Sequence, residues 1–153
     1  MQAKTHLMFA FLASLFFVYL IPAMVFYIPL ILLGGLLPDL DHPNSKLGRK
    51  IWPLSKLFNL IFGHRGFFHS LLFVIIIFIL VSYFSTIFAF AISIGILTHL
   101  LSDALTISGV AFFYPLSKFK IRGFIRTGSW LESIVYLSLY IISTFIVYKL
   151  LGF

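Results

Sequence analysis

The chain carries four carboxylates, Asp39, Asp41, Asp103 and Glu132, and five imidazoles, His6, His42, His64, His69 and His99, and all nine fall within or directly beside apolar segments. A charged or polar group near lipid costs several kcal/mol unless it is paired or coordinated, so nine such groups in so apolar a chain imply a shared purpose. With no cysteine present, a metal site here must be built from nitrogen and oxygen, which suits zinc, with manganese or iron(II) as alternatives. Nine donors suffice for two or three ions.

The groups come in clusters. Pro38-Asp39-Leu40-Asp41-His42-Pro43 puts two carboxylates and an imidazole directly after an apolar run. In an extended segment Asp39 and Asp41 point to the same side, so one can bridge ions or serve as general base, with Asp41 preferred to Asp39 for that role. The competing reading is a helix-terminating turn beside a membrane. Gly63-His64-Arg65-Gly66-Phe67-Phe68-His69-Ser70 offers two imidazoles around a guanidinium, whose fork matches a phosphate. Alternatively Arg65 is one more topology charge and the histidines are interfacial anchors.

His99-Leu100-Leu101-Ser102-Asp103 is an HxxxD pattern. On a helix, positions i and i+4 share a face, so His99 and Asp103 can grip one ion, or Asp103 can simply accept the ring N–H of His99. His6 and Glu132 are weaker signals taken singly. A lone histidine at a helix start is often a cap, and Glu132 suits the positive end of a final helix. The basic loop before it, with Arg122 and Arg126, can hold a phosphate or face solvent and lipid headgroups. No GxSxG elbow, P-loop or dinucleotide fingerprint competes.

These residues need a scaffold that gathers them. At 61% hydrophobic, 10% charged and a mean hydropathy of +1.13, the 153 residues describe one integral membrane domain, 1–153. The N-terminal run resembles a signal peptide without a cleavage site, and we read it as retained. Leu7 to Leu37 holds 31 uncharged residues, about 46 Å as one helix against about 30 Å of hydrocarbon. Pro22 divides it into legs over 7–20 and 23–37. Ser82, Tyr83, Ser85 and Thr86 divide the next run into legs over 69–83 and 86–105, and Leu131 to Leu151 is a single span.

The expected architecture is therefore all-α: a polytopic helical bundle of about five short transmembrane helices, two hairpins plus a C-terminal span. Shared chemistry demands the same topology. His6 and Asp39 bracket the first hairpin, His69 and His99 the second, and only an even number of crossings returns each pair to one depth. Legs of about 15 residues reach only about 22 Å, which implies local thinning of the bilayer. The mixed stretch 43–63 suits an interfacial amphipathic helix, and 108–128 also lies at the surface.

The net charge of +7 does not point to nucleic acid, because the basic residues are spread between apolar spans. Ten of the eleven, all but Lys149, fall in the N-terminal tail or in two inter-span loops. The positive-inside rule then places those loops, and the metal site with them, at the cytoplasmic face of the inner cell membrane, where anionic lipids add attraction.

Taken in order, His6, PDLDHP, GHRGFFHS, HLLSDALT and Glu132 resemble the YdjM-like family of membrane-bound metal-dependent hydrolases, over most of the chain. The same order of elements is more distantly similar to zinc-dependent phospholipase C and its nuclease relatives, helical enzymes with three zinc ions. That likeness implies phosphoester hydrolysis. Those enzymes also use their N-terminal amine as a ligand, whereas Met1 here precedes His6 by five residues.

The expected function is hydrolysis of a phospholipid or lipid-linked phosphate by a metal-activated water, with Asp41 or Asp39 as base and Arg65 steadying phosphate oxygens. Membrane lipids are the expected partners, nucleic acid is not, and a homodimer would help bury the polar helix ends. Two other classes stay open: a metal or ion transporter, and a membrane scaffold or regulator with a structural metal.

Overall fold

The computed structural model describes residues 1–63 and 65–152, and among them the fold is helical throughout, without strands. Helix α1 (Ala3–Leu20) ends at Ile21, where Pro22 cannot continue an α-helical hydrogen-bond ladder. The chain turns through a 3-10 helix (Pro22–Tyr27), returns as α2 (Ile28–Gly34), and closes in a second 3-10 turn (Leu37–Asp41). Two short helices follow, α3 (Lys46–Lys50) and α4 (Trp52–Phe62). After a 3-10 turn (Phe67–His69) come α5 (Leu71–Ser82), α6 (Thr86–Ala104) and, beyond a long connection, α7 (Trp130–Leu150).

Serines start four of these helices. Ser45, Ser70, Ser85 and Ser129 accept the backbone N–H groups of Gly48, Phe73, Phe88 and Glu132, satisfying donors that a helix start leaves open. The legs expected over 7–20, 86–105 and 131–151 are thus helices over 3–20, 86–104 and 130–150. The reversal expected at the Ser82–Thr86 cluster lies at residues 83–85.

Among the described residues, four stretches are long and apolar enough to cross a membrane: Ala3–Leu20, Pro22–Asp41, Thr86–Ala104 and Trp130–Leu150. Leu71–Ser82 is the fifth apolar helix and is shorter, about 18 Å at 1.5 Å per residue. The mismatch anticipated for all the hairpin legs is therefore concentrated in α5. Apolar side chains such as Phe16, Ile79, Phe90 and Phe145 are more than half exposed on the bundle exterior, as lipid-facing positions are in a membrane protein.

Helix α6 is the centre of the packing, against α2, α5 and α1, while α7 leans on α1 from outside. Ala10, Ile31 and Ala91 form one buried cluster between α1, α2 and α6. Phe68, Phe73, Val74, Ile96, Leu100 and Val110 form another toward the end of the bundle that carries the polar motifs. Two glycines bring α2 and α6 into backbone contact. A Cβ on Gly34 would sit 2.2 Å from the Ile92 carbonyl oxygen, and one on Gly95 would sit 2.0 Å from that of Ile31.

The connection between α6 and α7 is held by its own backbone. Val110 and Ile121 exchange both hydrogen bonds at 3.0 Å, and Ile125 N–H donates to the Leu105 carbonyl at 3.0 Å. The segment folds back at the end of α6, and Leu116, Phe119 and Phe124 on it are 94%, 73% and 75% exposed. In α4, Trp52, Leu54, Leu57, Leu60 and Ile61 are exposed beside Lys56. Both segments thus carry the mixed apolar and basic surface of interfacial structure.

Candidate metal centre

Four elements deliver five side chains to one end of the bundle. Asp39 comes from the turn after α2, His69 from the turn before α5, His6 from the first turns of α1, and His99 with Asp103 from successive turns of α6. His6, His69, His99 and Asp103 are buried to within 1% of fully, and the Asp39 side chain is 15% exposed. The rings of His6 and His99 stack at 3.7 Å with 10° between planes.

The hydrogen bonds fix which ring nitrogens face inward. His99 Nδ1 lies 2.8 Å from the Gly35 carbonyl oxygen, which can only accept, so the proton sits on Nδ1 and the Nε2 lone pair is bare. Ser102 Oγ donates to the His99 carbonyl at 2.8 Å and therefore accepts from His6 Nδ1 at 2.6 Å. His6 Nε2 lies 3.1 Å from the Met1 carbonyl oxygen, a hydrogen-bond contact that competes with Ser102 for the ring proton, and 3.4 Å from Asp103 Oδ1. Asp41 Oδ2 lies 3.4 Å from His69 Nδ1, within ion-pair range, and the other nitrogen of that ring, Nε2, faces His99 Nε2. Imidazoles anchored through one nitrogen to a carbonyl, hydroxyl or carboxylate, with the other nitrogen convergent, are how proteins present histidines to a metal.

The inward atoms lie at coordination spacing. His69 Nε2 and His99 Nε2 are 3.2 Å apart, and Asp103 Oδ2 is 3.7 Å from the first and 3.9 Å from the second. The point equidistant from all three corners of that triangle is about 2.1 Å from each, against the roughly 2.0–2.2 Å of zinc–nitrogen and zinc–oxygen bonds. His6, Asp39 and His99 form a second group whose ligand atoms lie within 4.8 Å of one another. Both groups use His99, and Asp39 Oδ1 is 3.9 Å from its Nε2. The donor set present therefore fits a divalent ion.

Positive charge balances the carboxylates. Asp103 Oδ1 pairs with the Met1 amine, and Oδ2 with Arg65 Nη2 at 2.8 Å. Arg65 Nη1 also donates to Thr106 Oγ1 at 3.2 Å, and the Arg65 backbone N–H donates to Asp41 Oδ2 at 3.0 Å. These contacts hold Arg65 at φ 63°, a left-handed conformation that costs a non-glycine residue of order 1 kcal/mol. The guanidinium sits where the cluster meets a cavity of about 720 Å³, which Asp39, His42, Lys4, Arg49 and Lys120 also line.

Not every sequence-selected residue joins the convergence. Glu132 stands apart: its Oε1 accepts from Gln2 N–H at 2.6 Å and Thr5 Oγ at 2.9 Å, and its Oε2 from Gly128 N–H at 2.6 Å. Both oxygens are filled by donors, so Glu132 ties the start of α1 to the start of α7. Asp41 is fully buried behind His69 and away from the cavity. His42 is half-buried on the cavity wall, outside both close groups. His64 lies outside the described residues. Arg122 and Arg126, considered for phosphate, do not line the cavity, whereas Lys120 of the same loop does.

Sequence reasoning missed the supporting groups. Backbone carbonyls such as that of Gly35 leave no residue signature, though the Gly34-Gly35 pair closing an apolar run marks a close approach. The Ser129-x-x-Glu132 spacing is a capping-box pattern, and it anticipates a glutamate turned back to the backbone at the helix start.

A family model described as YdjM inner membrane protein matches residues 1–152. The chain is 32% identical to the inner membrane protein YdjM of Escherichia coli (strain K12), across 98% of this chain and 85% of that protein. The Shigella flexneri protein of the same name matches equally. The uncharacterized protein YvsG of Bacillus subtilis (strain 168) is 37% identical across 76% of this chain and 75% of its own length. No solved structure matches.

Proposed function

The chain belongs to the YdjM inner membrane protein family, and we propose that it works in the membrane as a divalent-metal-dependent hydrolase of a phosphoester, most simply a phospholipid or other lipid-linked phosphate. What carries the reading is the triangle of His69 Nε2, His99 Nε2 and Asp103 Oδ2, three ligand atoms at coordination distance, whose neighbours Asp39 and Arg65 line a basic cavity. His69 and His99 share a hydrogen bond between these nitrogens and Asp103 Oδ2 leans on Arg65; an ion at the centre would take the place of the shared proton.

His69, His99 and Asp103 would hold one ion, and His6 and Asp39 are the donors left for a second. Zinc suits this set, with manganese or iron(II) as alternatives. When bound, such ions lower the pKa of a water and draw charge from a phosphoryl oxygen. Asp39, the one carboxylate lining the cavity, accepts the proton released as the water oxygen bonds to phosphorus. The ester P–O bond breaks, and the departing alkoxide takes up a proton to leave as an alcohol. Arg65, fixed by Asp103 and Thr106, faces the phosphoryl oxygens with its remaining donors. Asp41 orients His69, so the preference between the two aspartates passes from Asp41 to Asp39.

The site end carries ten of the eleven Lys and Arg residues, which supports a cytoplasmic orientation by the positive-inside rule. The test is elemental analysis of protein purified in mild detergent, followed by assay against phospholipids and lipid phosphates with zinc or manganese. Bound ions and release of a phosphorylated headgroup or of phosphate are expected. A folded sample that binds no divalent ion, or a loaded one that turns over none of these esters, removes the proposal.

A further inference from the structure

The cavity above the cluster is larger and more basic than one phosphate ester requires. Arg65 alone serves the reacting phosphoryl group, yet Lys4, Arg49 and Lys120 line the same 720 Å³ space. The whole chain has only four acidic side chains, and of these Asp39 alone lines the cavity, against four basic residues, Lys4, Arg49, Arg65 and Lys120. Asp103 holds the Met1 amine and Arg65, Glu132 holds backbone donors, Asp41 is buried behind His69, and Asp39 faces His99. Among the described residues no ion pair forms at Lys4, Arg49 or Lys120; Lys4 rests over the Tyr136 ring at 5.2 Å. Three like charges around one concavity repel one another until an anion joins them.

The cations come from three separate elements: Lys4 from α1, Arg49 from α3 and Lys120 from the loop before α7. Two of those elements adjoin the interfacial segments, since Arg49 precedes Trp52 and Lys120 follows Phe119, and both aromatics are largely exposed. That placement sets the mouth of the cavity at headgroup depth, where a ligand is both anionic and membrane-borne.

Resting on the hydrolase reading, we infer that the cavity recognises a headgroup with two phosphates, one at Arg65 and Asp39 and a second anionic phosphate gripped by Lys4, Arg49 and Lys120. A zwitterionic headgroup would bring its cation against these three residues and be disfavoured.

The experiment titrates metal-loaded, detergent-solubilised protein with soluble glycerol phosphate, glycerol bisphosphate and phosphocholine, reading affinity from the shift in unfolding temperature. Glycerol bisphosphate is expected to bind about tenfold or more tightly than glycerol phosphate, with phosphocholine weakest, since each added charge contact is worth a factor of that order. Arg49→Gln/Lys120→Gln should collapse the ratio toward one while bound metal and elution volume stay those of the parent protein. Micelles carrying phosphatidylglycerol phosphate decide the source: tighter binding than the soluble bisphosphate assigns a lipid, and equal binding overturns the lipid assignment. Equal affinity for one and two phosphates, or a ratio unchanged in the double variant, overturns the inference. Because binding is read without turnover, either result stands whether or not hydrolysis is found.

Discussion

Helices α6 and α7 each bring a buried carboxylate to the same end of the bundle, yet the two acids do different things. Asp103 on α6 shares its oxygens with two cations and faces three imidazole nitrogens at 3.4 to 3.9 Å. Glu132 on α7 is saturated by two backbone N–H groups and a hydroxyl. A carboxylate tied to backbone N–H and hydroxyl donors has little to offer an ion, whereas one set among three imidazoles has further ligands beside it. Burial and residue type are alike in the two; the surrounding donors tell them apart.

The strongest way to break that contrast is to truncate each side. His99→Ala removes the one ring shared by both ligand groups and should lower metal affinity by more than about a hundredfold, beyond the loss usual for a supporting residue. Elemental analysis after dialysis checks it. An unchanged ion content would place the metal elsewhere.

Gly95→Ala tests whether α6 acts through its packing as well. The added Cβ would lie 2.0 Å from the Ile31 carbonyl oxygen and 2.6 Å from Gly35 N, so the two backbones must separate, at a cost of about 1–3 kcal/mol. Separation draws the Gly35 carbonyl from His99 Nδ1, and metal affinity should fall with stability. Thermal unfolding and metal titration on one sample would show both losses. Glu132→Gln on α7 should lose stability alone. Its amide sets a donor against an N–H or hydroxyl donor, costing about 1–3 kcal/mol, while ion content stays that of the parent. If Glu132→Gln empties the site, the division between the helices fails.

The sequence made the scaffold readable because membrane physics is blunt: long apolar runs, a proline at position 22 and the polar cluster Ser82, Tyr83, Ser85 and Thr86 place the main spans within a few residues. The meeting of His6, Asp39, His69, His99 and Asp103 was legible from a depth argument, since motifs at the ends of paired legs must return to one face. Roles within the cluster were not. Whether Asp41 binds an ion or steers His69 depends on which side of the ring it occupies, and Glu132 depends on Gln2 and Thr5, far away in sequence, as well as on nearby Gly128. Only the turn of Glu132 toward its own helix start has a local signature. The distinction between Lys120 and Arg122 on one loop likewise follows from hydrogen bonds that orient the loop, Val110 with Ile121 above all.

The smallest expected effect is the most selective. Ser102 links the two histidines that stack in the site: its hydroxyl donates to the His99 carbonyl and accepts from His6 Nδ1. Ser102→Ala removes that acceptor, so the proton of His6 is free to move to Nε2, where the Met1 carbonyl and Asp103 would accept it. His6 would then present a donor to the space a metal should occupy. His99 keeps its own anchor on Gly35, and His69 and Asp103 are untouched, so the ion on that triangle should remain. The variant is expected to lose about tenfold in affinity for one ion only, seen as a biphasic metal titration where the parent protein fills its sites together. A single uniform loss would mean that His6 and the His69, His99 and Asp103 triangle serve the same ion, and the two-ion assignment would give way to one.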